Sequence, residues 1–170
     1  DEELEKISEL AKALSKELKQ KNISVKYDDR DTLRPGFKFA EYEMKGVPVR
    51  LAIGGRDLEN GTIEIARRDT KEKQTISREG ILEHIENLLT DIQQNIYNKA
   101  LKFREENTRE ANSYEEFKEL LDTKAGFISA HWDGTSETEK RIKDETKATI
   151  RCIPLNNKPE DGTCIVTGKP

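Results

Sequence analysis

Between Arg34 and Arg78 the sequence sets ten Lys and Arg against seven Asp and Glu, interleaved rather than gathered in blocks. Charges of both signs at such short spacing suit a partner whose edge shows donors and acceptors side by side. Guanine has such an edge. Its N1 and N2 donate to a carboxylate, while O6 and N7 accept from Arg or Lys. Strands would present alternating side chains on one face, and further Lys and Arg could hold phosphates without reading sequence. A solvated face of ordinary ion pairs, each worth ~0–1 kcal/mol, fits the same composition.

Little else in the chain could run a reaction. His84 and His131 are the two histidines, and His84 lies inside a long amphipathic pattern, so a Cys/His or Ser/His/Asp constellation has little to build on. Asp28, Asp29 and Asp31 offer hard oxygen ligands to a cation, although a charged turn with a helix cap is the preferred reading. Gly54, Gly55 and Gly61 form no phosphate loop, because no G-x-x-x-x-G-K-[ST] follows a strand. Cys152 and Cys164 are too few for a disulfide scaffold and read as free thiols. With 38% charged residues, 33% apolar residues and a net charge of -4, the composition is that of a slightly acidic globule and argues against an indiscriminate polyanion binder. No apolar run approaches the ~20 residues that span a bilayer. The expectation is a soluble, cytoplasmic protein with no membrane partner and no catalytic residue of its own.

Positioning the charged side chains calls for an α/β architecture. Leu4, Ile7, Leu10, Ala11, Leu14 and Leu18 recur at helical spacing over residues 2–20. Ser24–Tyr27 reads as a short strand. Asp31 or Thr32 reads as the cap of a helix carrying Phe37, Ala40 and Met44 and stopped by Gly46. Val47, Val49, Leu51 and Ile53 alternate with Pro48, Arg50 and Ala52 as a strand should, and Thr62–Arg68 and Gln74–Ser77 follow as two more. Ile81, Ile85, Leu88, Leu89, Ile92, Ile96 and Ala100 mark a long helix to about Thr108. Polar Glu105–Asn112 is the candidate boundary. Beyond it come a helix opened by Ser113-x-x-Glu116, a strand over 126–132, a helix over 136–146 opened by Ser136, and a strand pair over 148–155 and 163–167. This order predicts a mixed β-sheet flanked by helices in residues 1–110, and a smaller α/β domain in residues 111–170.

The run YDDRDTLRPGFKFAEYEMKGVPVRLAIG, then RDLENG and EIARRDTKEK, resembles the anticodon-binding domain of prolyl-tRNA synthetases of the archaeal and eukaryotic type. KALKFREENTRE, YEEFKELL, ETKATIRCIPL and CIVTGKP continue the resemblance in order, so that it covers essentially the whole chain. It implies the class IIa synthetase anticodon-binding fold, recognition of the two guanines common to proline anticodons, and a small C-terminal domain. The catalytic domain, with its ATP and Mg, would precede residue 1. By position, the base-reading roles fall on Glu43, Arg50, Arg56, Asp57 and Lys73. Glu43 and Asp57 suit guanine N1 and N2, and the three bases suit O6, N7 or phosphate. Lys38, Lys45, Arg67 and Arg68 are candidates for tRNA backbone contact. The implied partner is proline tRNA, with a homodimeric complete enzyme and a monomeric fragment. The alternative is a protein-interaction module that kept the fold and lost RNA binding.

Three departures from the resembled family carry expectations. Gly55 stands where proline usually precedes the Arg/Lys–Asp pair, which frees the backbone at Arg56 and Asp57. Many relatives bind structural zinc through four cysteines, whereas the corresponding stretches here offer Trp132, Glu137 or Thr138, Cys164, and Gly168 or its neighbour. A tetrahedral site cannot be built from one thiol, so no zinc is expected and packing around Trp132 would hold the domain. Relatives also continue past GKP to an aromatic residue, so Lys169–Pro170 reads as truncation or disorder.

Overall fold

The computed structural model describes residues 2–158 and 160–170. The chain divides into two compact units, Asp1–Asn98 and Lys99–Pro170. The division falls inside a helix rather than in the polar stretch after it.

The first unit opens with helix α1 (Glu2–Gln20) and helix α2 (Pro35–Met44), followed by strand β1 (Val49–Ala52), the short helix α3 (Gly55–Asn60), strands β2 (Thr62–Arg67) and β3 (Lys73–Ser77), and helix α4 (Ile81–Glu106). The strands lie in the order β1-β2-β3, antiparallel throughout. Alternation along β2 decides which face is which. Ile63 and Ile65 are each 1% exposed and pack with Leu14 and Leu18 of α1 and with Ile81, Ile85, Leu88 and Ile92 of α4. Burying either isoleucine contributes ~1.5–3 kcal/mol. Thr62, Glu64 and Ala66 therefore point away from the core.

In the second unit, β4 (Thr108–Glu110) and β5 (Phe127–Ser129) form a parallel pair, joined through helix α5 (Tyr114–Thr123) and followed by helix α6 (Ser136–Thr146). Ala111, Tyr114, Phe117 and Ile142 form its core. Gly126, at φ 96°, lets the chain enter β5 against the carbonyl of Asn107, where a side chain would collide.

The α/β class is as the sequence predicts, but several elements differ. Ser24–Tyr27 joins no ladder, although Val25 packs on the core. Residues 148–155 and 163–167 form no strands, while Ala148, Ile165 and Val166 still pack on the second core. Helix α2 starts at Pro35 with Arg34 as N-cap, so neither Asp31 nor Thr32 caps it. Pro35 supplies the first helical φ itself. Thr135, not Ser136, caps α6 by accepting from Thr138 N–H. Trp132 is not at the centre of the second core; its indole N–H is buried without a protein partner.

Candidate nucleic-acid interface

Cross-strand register brings two of the charged residues to one end of the sheet's outer face. Arg50 pairs with Ala66, and Ala66 pairs with Lys73, so the two cations flank a small residue in a single row. Strand neighbours lie ~5 Å apart, which sets their Cα atoms ~10 Å from each other. Helix α2 covers the Arg50 end of this face. Phe39 lays its ring against the Arg50 guanidinium, with the centroid 3.5 Å from Cζ. Arg50 Nη1 also donates to Glu64 Oε1 at 3.1 Å.

Glu43, at the end of α2, joins the same cluster. Lys71 in the β2–β3 turn hydrogen-bonds its carboxylate, and Arg68 Nε donates to its backbone oxygen at 2.8 Å. The Lys71 hydrogen bond and charge hold the Glu43 carboxyl below its ordinary range, with Arg68 and Arg50 adding to the pull.

Asp57 and Arg56 lie in α3, at the opposite end of β2. Asp57 sits in the first turn of α3, where Oδ2 accepts from Gly54 N–H at 3.0 Å and Oδ1 accepts from the Thr62 hydroxyl at 2.9 Å. The first of these bonds is half of a capping box, and Gly61 at φ 66° ends the helix. From Ala66 to Thr62 is four residues of strand, or ~13 Å. Glu43, Arg50 and Lys73 thus gather at one end and Arg56 with Asp57 at the other, one acid with at least one base at each. Arg56 is exposed. Gly55 leaves the start of α3 close to Glu3 of α1, whose carboxylate a side chain there would meet.

The backbone-contact candidates are placed differently. Arg67 points to the core side, where it makes a two-pronged bond to Asp69 at 2.8 and 2.7 Å and reaches Asp91 of α4 at 2.7 Å. Asn95 completes the group by donating to Asp69 at 2.6 Å. Lys38 lies 3.7 Å from Asp28 and is largely covered, while Lys45 pairs with Glu41 at 2.5 Å and sits over the Tyr42 ring. Within the aspartate-rich turn Asp28 is spent on cations, since Arg30 makes a two-pronged bond to it and reaches Glu41. Sequence reasoning did not single out Phe39, Glu64 or Lys71. Strand parity pointed to Glu64, but nothing local showed that Phe39 would meet Arg50.

Residues 2–88, just over half of the chain, match the family model described as anticodon binding domain. The chain belongs to the anticodon binding domain family. Residues 114–170 match the model described as prolyl-tRNA synthetase, C-terminal. Relatives named proline–tRNA ligase, from Cytophaga hutchinsonii, Porphyromonas gingivalis and Flavobacterium psychrophilum, are 60%, 61% and 59% identical over 99%, 100% and 99% of this chain. The chain spans 34% of the length of each. In order and extent the two family matches are those of the C-terminal part of a prolyl-tRNA synthetase, and the outer face of the sheet lies in the anticodon-binding domain.

Beyond the anticodon-binding domain, a polar knot forms where sequence comparison looks for metal ligands. Asp133 Oδ1 accepts from Thr135 N–H and its hydroxyl at 3.1 and 2.9 Å, and Oδ2 accepts from the hydroxyls of Thr138 and Thr167, each at 3.0 Å. Burial pushes the Asp133 carboxyl up, but the threonine hydrogen bonds outweigh it and leave it below its ordinary value. Cys164, 3% exposed, lies beside Thr167. Burial raises its thiol, and hydrogen bonds from Thr167 and nearby backbone groups bring it below the ordinary value. The residues that meet are Asp133, Thr138, Cys164 and Thr167, each adjacent to or among the four positions expected from sequence. One thiol and one carboxylate already committed to threonines do not fit a four-thiolate zinc ion. Among the described residues no group of three or more His, Cys, Asp and Glu is placed to hold a metal.

Proposed function

We propose that this anticodon-binding domain reads the two guanines of the proline anticodon, with one guanine addressed at each end of the sheet. Glu43 accepts from N1 and N2 of one base while Arg50 or Lys73 donates to its O6 or N7. Asp57 and Arg56 take the other. The observation that carries this reading is the pairing of an acid with a base at both ends, ~13 Å apart along the strands. Stacked bases are ~3.4 Å apart, so a surface with this spacing selects bases splayed out of their stack, as in an anticodon loop held open by protein.

The domain would serve a proline–tRNA ligase of the archaeal and eukaryotic type. Supporting that type is the succession of an anticodon-binding and a C-terminal domain; the relatives compared are bacterial, so the type would rest on domain order rather than on organism. In the whole enzyme another domain would activate proline with ATP and Mg and transfer it to the tRNA. We assign the enzyme to the cytoplasm, where its tRNA is charged, expect it to dimerise through portions outside this chain, and expect the fragment to be monomeric. The misfit of the Asp133 knot supports a C-terminal domain without structural zinc.

The test is chemical footprinting of proline tRNA with a reagent that modifies guanine at N1 and N2. Binding should protect both anticodon guanines. Protection spread over the whole tRNA, or none, would instead favour a module that interacts with protein.

A further inference from the structure

We propose that Phe39 is a positioning residue for Arg50, and that it sets how strongly one anticodon position demands guanine. The inference rests on the functional reading above. Three elements fix the Arg50 guanidinium: β1 carries it, Phe39 of α2 covers one of its faces at 3.5 Å, and Glu64 of β2 accepts from Nη1 at 3.1 Å. The side chain is 17% exposed. Among the described residues, Glu64 is its one hydrogen-bond partner, so its remaining N–H groups are unspent.

The two contacts remove different freedoms. The ring fixes the plane of the guanidinium, and the carboxylate fixes its rotation within that plane. An arginine so held presents a prearranged pair of donors, the geometry that O6 and N7 of guanine accept and that adenine, with a donor at N6, cannot match. Without the ring, the same arginine keeps its charge and its attraction for phosphate but must order several torsions at the moment of binding. Loss of Phe39 should therefore reduce discrimination more than affinity. Lysine at position 50 could not substitute, because an ammonium has no plane to stack.

The experiment measures dissociation constants of the 170-residue chain for proline tRNA transcripts with guanine or adenine at each of the two anticodon positions. Wild type should prefer guanine about tenfold to hundredfold at each, the range of one good two-pronged base contact. Phe39→Leu should lower the ratio at least threefold at the position that Arg50→Ala affects, and leave the other position unchanged. Phe39→Tyr should restore the ratio, and Phe39→Leu combined with Arg50→Ala should match Arg50→Ala alone. The unaffected position reports that the domain is folded, and Phe39→Met replaces the leucine variant should that one fail to fold. The proposal is overturned if Phe39→Leu keeps full discrimination while Arg50→Ala loses it, if the two effects simply add, or if Arg50→Ala itself changes neither position. Absence of any guanine preference in the wild type would instead remove the functional reading, and this inference with it.

Discussion

Arg50 and Lys73 stand on either side of Ala66 in one row of the sheet, both on the face turned from the core. The methyl of Ala66 is all that separates two long cationic side chains, so a base edge can settle between them. Ala66→Leu should fill that space. We expect about a tenfold loss of proline tRNA affinity in a filter-binding assay with little change in the thermal unfolding midpoint, since half-buried Ala66 lies on the face turned from the packed core.

Asp57 has two duties on this account. Its carboxylate accepts from Gly54 N–H and from the Thr62 hydroxyl, which fixes the start of α3 to the start of β2. Asp57→Ala should cost ~2 kcal/mol of stability in urea unfolding, for two lost hydrogen bonds of ordinary net worth. Asp57→Asn keeps an acceptor and should cost less than half of that. Both variants should lose guanine preference at one anticodon position, because neither presents a carboxylate to N1 and N2.

Arg67 should behave as a structural residue, unlike its neighbour Arg68. Its guanidinium is 16% exposed and faces Asp69, which is 3% exposed, with Asp91 beyond. Arg67→Ala leaves the Asp69 charge covered and without a cation, with Asn95 still donating to it, and should destabilise the chain by ~3 kcal/mol at pH 7. The Arg67 hydrogen bond holds the Asp69 carboxyl well below the usual carboxylate range, against the opposing push of burial. A depressed acid contributes stability above its unfolded pKa, and the contribution is lost as pH falls through that range. The stability difference between wild type and Arg67→Ala, from urea titrations, should therefore be full at pH 7 and shrink as pH is lowered below the ordinary aspartate value of 3.8.

What the sequence disclosed and what it hid divide along one physical line. Burial follows from periodicity, so Leu14, Leu18, Ile63, Ile65, Ile81, Ile85, Leu88 and Ile92 were all legible as core positions. Ladders need a partner as well as a pattern. Ser24–Tyr27 alternates correctly and buries Val25, yet no strand pairs with it. Helix α3 was hidden because Gly54 and Gly55 read as turn residues; the usable signal was Asp57 three residues after Gly54, reaching back to its N–H. The candidate interface was legible in residue type, since acids and bases alternate along the chain. Its arrangement was not, because the row from Arg50 to Lys73 and the contact of Phe39 with Arg50 depend on β1–β2–β3 register and on where α2 settles.

The knot around Asp133 predicts a C-terminal unit indifferent to metal. Elemental analysis of the purified chain should find far less than one zinc per molecule, and a strong chelator should leave the unfolding midpoint where it was. Asp133→Ala, by contrast, removes the acceptor for three threonines and should lower the midpoint. Stoichiometric zinc, or unfolding by chelator, would contradict the hydrogen-bonded arrangement.

The central claim is that paired acids and bases at the two ends of the sheet read two guanines, and the most direct measurement is equilibrium binding of proline tRNA transcripts in which each anticodon guanine is changed to adenine in turn. The account predicts at least a tenfold weaker dissociation constant for either single change, and a larger loss for both together. Equal affinity for the unchanged and changed transcripts would contradict it.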